Sequence, residues 1–252
     1  MVIMKRRGVL FALFLSLILA LAGCGNRKED TKDAQVPEKK IQIGLSFDSF
    51  VIERWQRDRD VFVSTAQKLG AEVNVQNANG DIEKQKSQIE YFIQKKMDVI
   101  VVVPIDSEAC SAELKKTKEA GIKVVAYDRL LNNSDADLYI SFDNEEVGKL
   151  MGETLVKNVP LGGNIVTIFG PTADHNVQMV EKGFDEVTKD SDLNLIYSTY
   201  AKEWLAEEAF NAVNTALGMN RNIDGVLCGN DDLATQAVLA LSENRLAGKV
   251  IV

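Results

Sequence analysis

Histidine is almost absent from this chain, His175 being the single one in 252 residues. One imidazole without a partner makes neither a metal site nor a catalytic couple, so His175 is read as a rim or capping residue. Cysteine is nearly as scarce, at positions 24, 110 and 228. That spacing fits no metal motif and no disulfide framework. Cys110 falls in a helical stretch and Cys228 ends a strand; both are read as buried free thiols, with one bridge between them as the alternative. Basic residues are in deficit, 29 against 37 acidic ones, for a net charge of −8. This argues against nucleic acid or an anionic surface as a partner. No nucleophile–base pair, metal cluster or phosphate-binding loop is present, so neither an enzyme nor a cofactor is expected.

What is present is globular in composition, 46% hydrophobic and 26% charged, and long enough for one large or two medium domains. Long apolar runs are confined to the amino terminus. Lys5, Arg6 and Arg7 precede GVLFALFLSLILALAG, the pattern of a secretory signal. Leu21-Ala22-Gly23-Cys24 resembles a bacterial lipobox, which implies cleavage after residue 23 and acylation of Cys24; an uncleaved anchor is the alternative. Both put the chain outside the cytoplasm, tied to a membrane. Residues 24–40, polar, charged and without periodicity, read as a flexible tether.

From residue 41 the chain alternates between two periods. Ile41, Ile43, Leu45 and Phe47 follow a strand period, and Trp55, Phe62, Val63, Ala66 and Leu69 lie on one helical face. The turn between them carries an acid, Arg54 and Trp55. In an open parallel sheet, ligands sit beyond the carboxyl ends of strands. A cation beside an indole suits a sugar, which offers C–H faces and a rim of hydroxyls. Packing of Trp55 on the sheet is the competing reading. The acid–arginine run 57–60 reads as a solvated helix face. Further strands are expected at 71–76, 98–103, 122–127 and 138–142, with a helix from Glu145 capped by Asn144. The pattern then repeats with strands at 164–169, 193–199, 223–228 and 249–252. Alternation of this kind means parallel sheets. Nine strands divide into two α/β lobes, residues 41–143 and 144–252.

The strings ERWQRDRDVFV (53–63), QNANGD (76–81), AYDRL (126–130), LYISFDNEEVGKL (138–150) and GNDDLA (229–234) resemble the D-xylose-binding proteins of bacterial ABC sugar importers. These belong to the type I periplasmic binding protein family. The resemblance implies two doubly wound lobes joined by three hinge crossings and closing on a sugar. By position it implies sugar contacts from Arg54, Trp55, Asp128 and Arg129 on the first lobe. On the second it implies Asp174, Asn176, Trp204, Asn230 and Asp231. Read without it, Asp128 is also turn chemistry, Asp174, Asn176 and Asn230-Asp231 are also helix caps, and Trp204 is also core. The charged residues around Trp204 favour a half-exposed stacking platform, with the two indoles sandwiching one pyranose.

Two departures qualify the resemblance. Chains of the family continue past the position of Val252, so the second lobe is expected to be incomplete. Pentose and hexose pockets are not distinguished by spacing, so xylose rests on the resemblance. The function implied is capture of D-xylose for an ABC permease. The alternative partner is a membrane sensor such as a histidine kinase. A repressor with the same lobes is disfavoured by the exported amino terminus and the lack of a helix-turn-helix.

Overall fold

The computed structural model describes residues 39–252. The apolar run, Cys24, and the proposed tether up to residue 38 lie outside the described residues, and so do the readings attached to them.

The first half alternates β1 (Gln42–Phe47), α1 (Arg54–Lys68), β2 (Glu72–Asn77), α2 (Ile82–Gln94), β3 (Val99–Val102), α3 (Ser111–Glu119), β4 (Lys123–Tyr127) and β5 (Leu138–Ile140). These strands form one sheet in the order β2-β1-β3-β4-β5, and every pairing is parallel. The β-branched run of β3 explains its central place, because a strand covered on both faces needs apolar side chains on both. Ile100 and Val102 face Phe92 and Leu114 on the side of α2 and α3. Val101 and Val103 face Leu45, Phe47 and Trp55 on the side of α1.

The second half comprises α4 (Asn144–Asn158), β6 (Asn164–Phe169), α5 (His175–Thr188), β7 (Asn194–Tyr200), a 3-10 turn (Lys202–Trp204), α6 (Glu207–Met219), β8 (Gly225–Cys228) and α7 (Asp231–Glu243). Its sheet has the order β7-β6-β8, again all parallel. The fold is therefore α/β with two parallel sheets, as the periodicity anticipates, each doubly wound, as the resemblance implies. Residues 40–252 form one unit.

Helix α4 follows β5 in the chain but packs on the second half, with Leu155 and Val159 in that core. Two glycines let it lie directly on α5. A Cβ on Gly148 would meet the Val180 carbonyl at 2.0 Å, and one on Gly183 the Glu145 carbonyl at 1.9 Å. Lys182–Glu145 (2.7 Å) and Lys149–Glu186 (3.1 Å) fasten the flanks. Among the described residues the chain passes between the halves once, at 141–143, where the resemblance implied three crossings.

Other details also differ from expectation. The cap of α4 is Asp143, whose side chain accepts from the Glu146 N–H, and Asn144 is the first helical residue. Residues 249–252 do not form a ninth strand; Ile251 makes an isolated bridge to Gly225. The two thiols, by contrast, agree with expectation: both are free and buried, Cys110 in the first half and Cys228 in the second. Burial pushes both up to about 12.

Candidate functional site

The turn after β1 begins with Asp48 and runs into the first turn of α1, which carries Arg54 and Trp55. Trp55 is 1% exposed, and its ring packs at 6.0 Å from that of Phe47. The Arg54 guanidinium lies over the indole, 4.2 Å from its centroid, a favourable cation–π geometry. Its Nη2 pairs with Asp128, while its Nε stays 3.7 Å from Asp58. Trp55 is thus both core and cavity wall, which joins the two readings that the sequence left open. The 57–60 run is not wholly solvated, since Asp58 accepts a 2.9 Å hydrogen bond from the Tyr127 hydroxyl.

Beyond β4, Asp128 adopts a left-handed conformation (φ 64°), which aspartate tolerates better than most residues. This bend sends Arg129 inward, where it is 3% exposed. Its Nη1 donates to Asp48 Oδ2 (2.6 Å) and to the Pro104 carbonyl (3.0 Å). Its Nε pairs at 2.6 Å with Asp174 of the second half. Burial works against the Arg129 charge, but the carboxylates of Asp174 and Asp48 outweigh it and hold the pKa above the ordinary guanidinium value.

In the second half, Asp174 caps α5 through the Asn176 N–H and accepts from Trp204 Nε1 at 3.2 Å. Burial raises its pKa, against the opposing pull of Arg129. Asn176 reaches back across the cleft, donating from Nδ2 to the carbonyl (3.2 Å) and Oδ1 (3.1 Å) of Asp128. Trp204 lies on the 3-10 turn rather than at a helix start, and it is buried rather than half-exposed. Glu203 and Trp204 both have positive φ, 53° and 59°. Such strain costs on the order of 1 kcal/mol or more per residue. It lays the indole across Gly170 and Gly229, where added Cβ atoms would come within 2.2 Å and 3.2 Å of the ring. Asn230 caps α7 by accepting from the Leu233 N–H, and Asp231 follows as the first residue of that helix.

These side chains line one cavity of about 530 Å³ between the halves, at the carboxyl ends of both sheets. Every residue singled out in the sequence as a sugar contact is in its wall: Arg54, Trp55, Asp128, Arg129, Asp174, Asn176, Trp204, Asn230 and Asp231. Among the described residues five buried side-chain polar atoms have no hydrogen-bond partner. Four of them belong to this wall: Arg54 Nε, Trp55 Nε1, Asn176 Oδ1 and Asn230 Nδ2. Each unpaired group costs roughly 1–3 kcal/mol.

The sequence profile described as "Periplasmic binding protein domain" matches residues 43–252. The chain belongs to the periplasmic binding protein family. It is a binding protein rather than an enzyme, and it works outside the cytoplasm. It is similar to the D-xylose-binding periplasmic protein of Haemophilus influenzae, at 42% identity over 85% of this chain and 66% of that one. The D-xylose-binding periplasmic protein of Escherichia coli K12 is 39% identical over 99% of this chain and 73% of its own length. Among solved structures, an ABC transporter periplasmic solute-binding protein from Actinobacillus succinogenes with bound D-allose superposes with a TM-score of 0.77. It is 29% identical, over 84% of this chain and 77% of that one.

Sequence reasoning missed the residues that hold this binding protein's wall in place. Asp48 and Pro104 anchor Arg129 without lining the cavity. Asp48 stands at a strand's carboxyl end, a position that could have flagged it. Gly170 and Gly229 gave no such signal, because the indole they accommodate comes from a different segment.

Proposed function

We propose that this chain captures D-xylose between its lobes, residues 41–143 and 144–252, and delivers it to an ABC permease. The observation that carries the reading is the convergence of nine polar, charged and aromatic side chains from both halves on one cavity of about 530 Å³. A hydroxyl both accepts and donates, so a ring of sugar hydroxyls suits a wall that mixes donors and acceptors. Trp204 offers an apolar surface for the C–H faces of the ring, while Arg54, Asp128, Arg129, Asp174 and Asp231 supply charge-assisted hydrogen bonds. D-xylose as the particular sugar is supported by the two relatives, both D-xylose-binding periplasmic proteins. The permease as partner is supported by the allose-bound neighbour, an ABC transporter protein.

The same reading includes anchoring of the exported chain through acylated Cys24, with residues 24–40 as the tether. It is supported by the basic start, the apolar run and the lipobox-like LAGC. Calorimetric titration with D-xylose, other pentoses and hexoses tests the binding. Tightest binding to D-xylose is expected, and no heat with any sugar would overturn the reading. For the anchor, native protein should partition into detergent and Cys24→Ala should remain as unacylated precursor. Mature protein whose mass carries no acyl chain would refute it.

A further inference from the structure

We propose that Gln85, outside the cavity wall, is a positioning residue that sets the orientation of Arg129. Asp81 caps α2 by accepting from the Lys84 N–H, which places Gln85 in the first turn, 1% exposed. Its amide is used at both ends. Nε2 donates to the Val103 carbonyl at 2.9 Å, and Oε1 accepts from the Ile105 N–H at 3.1 Å. The residue so bracketed is Pro104, which has no N–H through which its turn could be fixed. Its only backbone polar group is the carbonyl, and that carbonyl accepts from Arg129 Nη1 at 3.0 Å.

Gln85 therefore fixes the direction of one of the two acceptors that Nη1 meets, the other being Asp48. A planar guanidinium held at Nη1 has its Nε direction determined as well. Here Nε points at Asp174, across the cleft. Loss of the Gln85 amide frees the Pro104 turn, and the disturbance reaches the wall through Arg129.

The test uses the full chain and the Nε–Hε resonance of Arg129, assigned by its loss in Arg129→Lys. Gln85→Met keeps length and removes both hydrogen bonds. It is expected to shift that resonance and to speed its exchange with solvent about tenfold or more, well below the melting temperature. Thr117→Val is the control for general loosening, because Thr117 is fully buried in the same half and its hydroxyl donates within α3 to the Glu113 carbonyl, away from Gln85 and Pro104. If Gln85→Met does not fold, Gln85→Glu, which keeps the acceptor and loses the donor, is expected to show a smaller change of the same kind. An Arg129 signal unchanged in the folded variant, or changed equally by Thr117→Val, would overturn the proposal. A titration with D-xylose adds an arm that rests on the proposed function. A moved Arg129 signal in a protein that binds no xylose leaves the positioning role standing and removes the sugar assignment.

Discussion

Asn230 does two things with one amide, and the two can be separated. Its Oδ1 accepts from the Leu233 N–H to cap α7, while its Nδ2 is buried in the cavity wall without a partner. Asn230→Asp keeps the capping acceptor and deletes the donor. Sugar affinity is expected to fall about tenfold with the melting temperature nearly unchanged, as read by calorimetry and thermal denaturation. Gly170→Ala should act in the opposite sense. The new methyl would sit 2.2 Å from Trp204 Cζ2, so the ring has to leave its seat. A stability loss of about 1–3 kcal/mol is expected, with a changed tryptophan emission. Arg54 and Trp55 were legible from local pattern, between a strand and a helix, whereas the rest of the wall came from the resemblance, since by pattern alone Asp174, Asn176, Asn230 and Asp231 read as helix caps. The depth of Trp204 was not legible, because it depends on two glycines from other strands and on Asp174, a carboxylate beyond a different strand.

At the scale of elements, most strands and helices were legible because parallel strands and amphipathic helices have different periods. Boundaries were not, since capping is decided by side-chain reach; Asp143 takes the place expected of Asn144. Asp137 shows how one carboxylate joins elements. It accepts from Lys118 of α3 (2.8 Å), from Lys123 of β4 (2.9 Å) and from the Val124 N–H (2.9 Å). The Lys118 hydrogen bond first, then those of Val124 and Lys123, hold its pKa well below the usual carboxylate range. A depressed folded-state pKa means that the native chain holds the proton less tightly than the unfolded one. The contribution is therefore present above the ordinary aspartate value and is lost as pH falls toward the folded one. Asp137→Asn should lower the melting temperature at neutral pH, and the gap from wild type should narrow in acid. A gap independent of pH would show that the charge of Asp137 contributes nothing.

For the molecule as a whole, the contacts across the cleft are of two kinds. Arg129–Asp174 and Asn176–Asp128 involve side chains of the cavity wall. The Glu53 N–H to Asp232 Oδ2 contact (3.4 Å) also joins two lining residues, whereas the Ser107 N–H to Ala173 carbonyl contact (3.4 Å) involves residues that do not line the cavity. Breaking a buried ion pair from one side leaves a charge uncompensated, so Asp174→Ala is expected to cost roughly 3 kcal/mol in urea denaturation. Because Arg129 keeps Asp48, a cost well below this would mean that Asp48 alone suffices. Ligand linkage adds a further expectation. D-xylose at a hundredfold excess over Kd should stabilise the chain by about 2.7 kcal/mol, visible as a rise in melting temperature.

The placement of the two thiols gives each half its own clock. Cys110 lies in the core of one half and Cys228 in that of the other, and burial holds both in the unreactive thiol form at neutral pH. A thiol-alkylating reagent can therefore mark each only when its surroundings open. Pulsed alkylation followed by peptide mass analysis would record two separate rates from a single unmutated sample. Equal rates would mean that the halves come apart as one cooperative body; unequal rates would reveal which half gives way first.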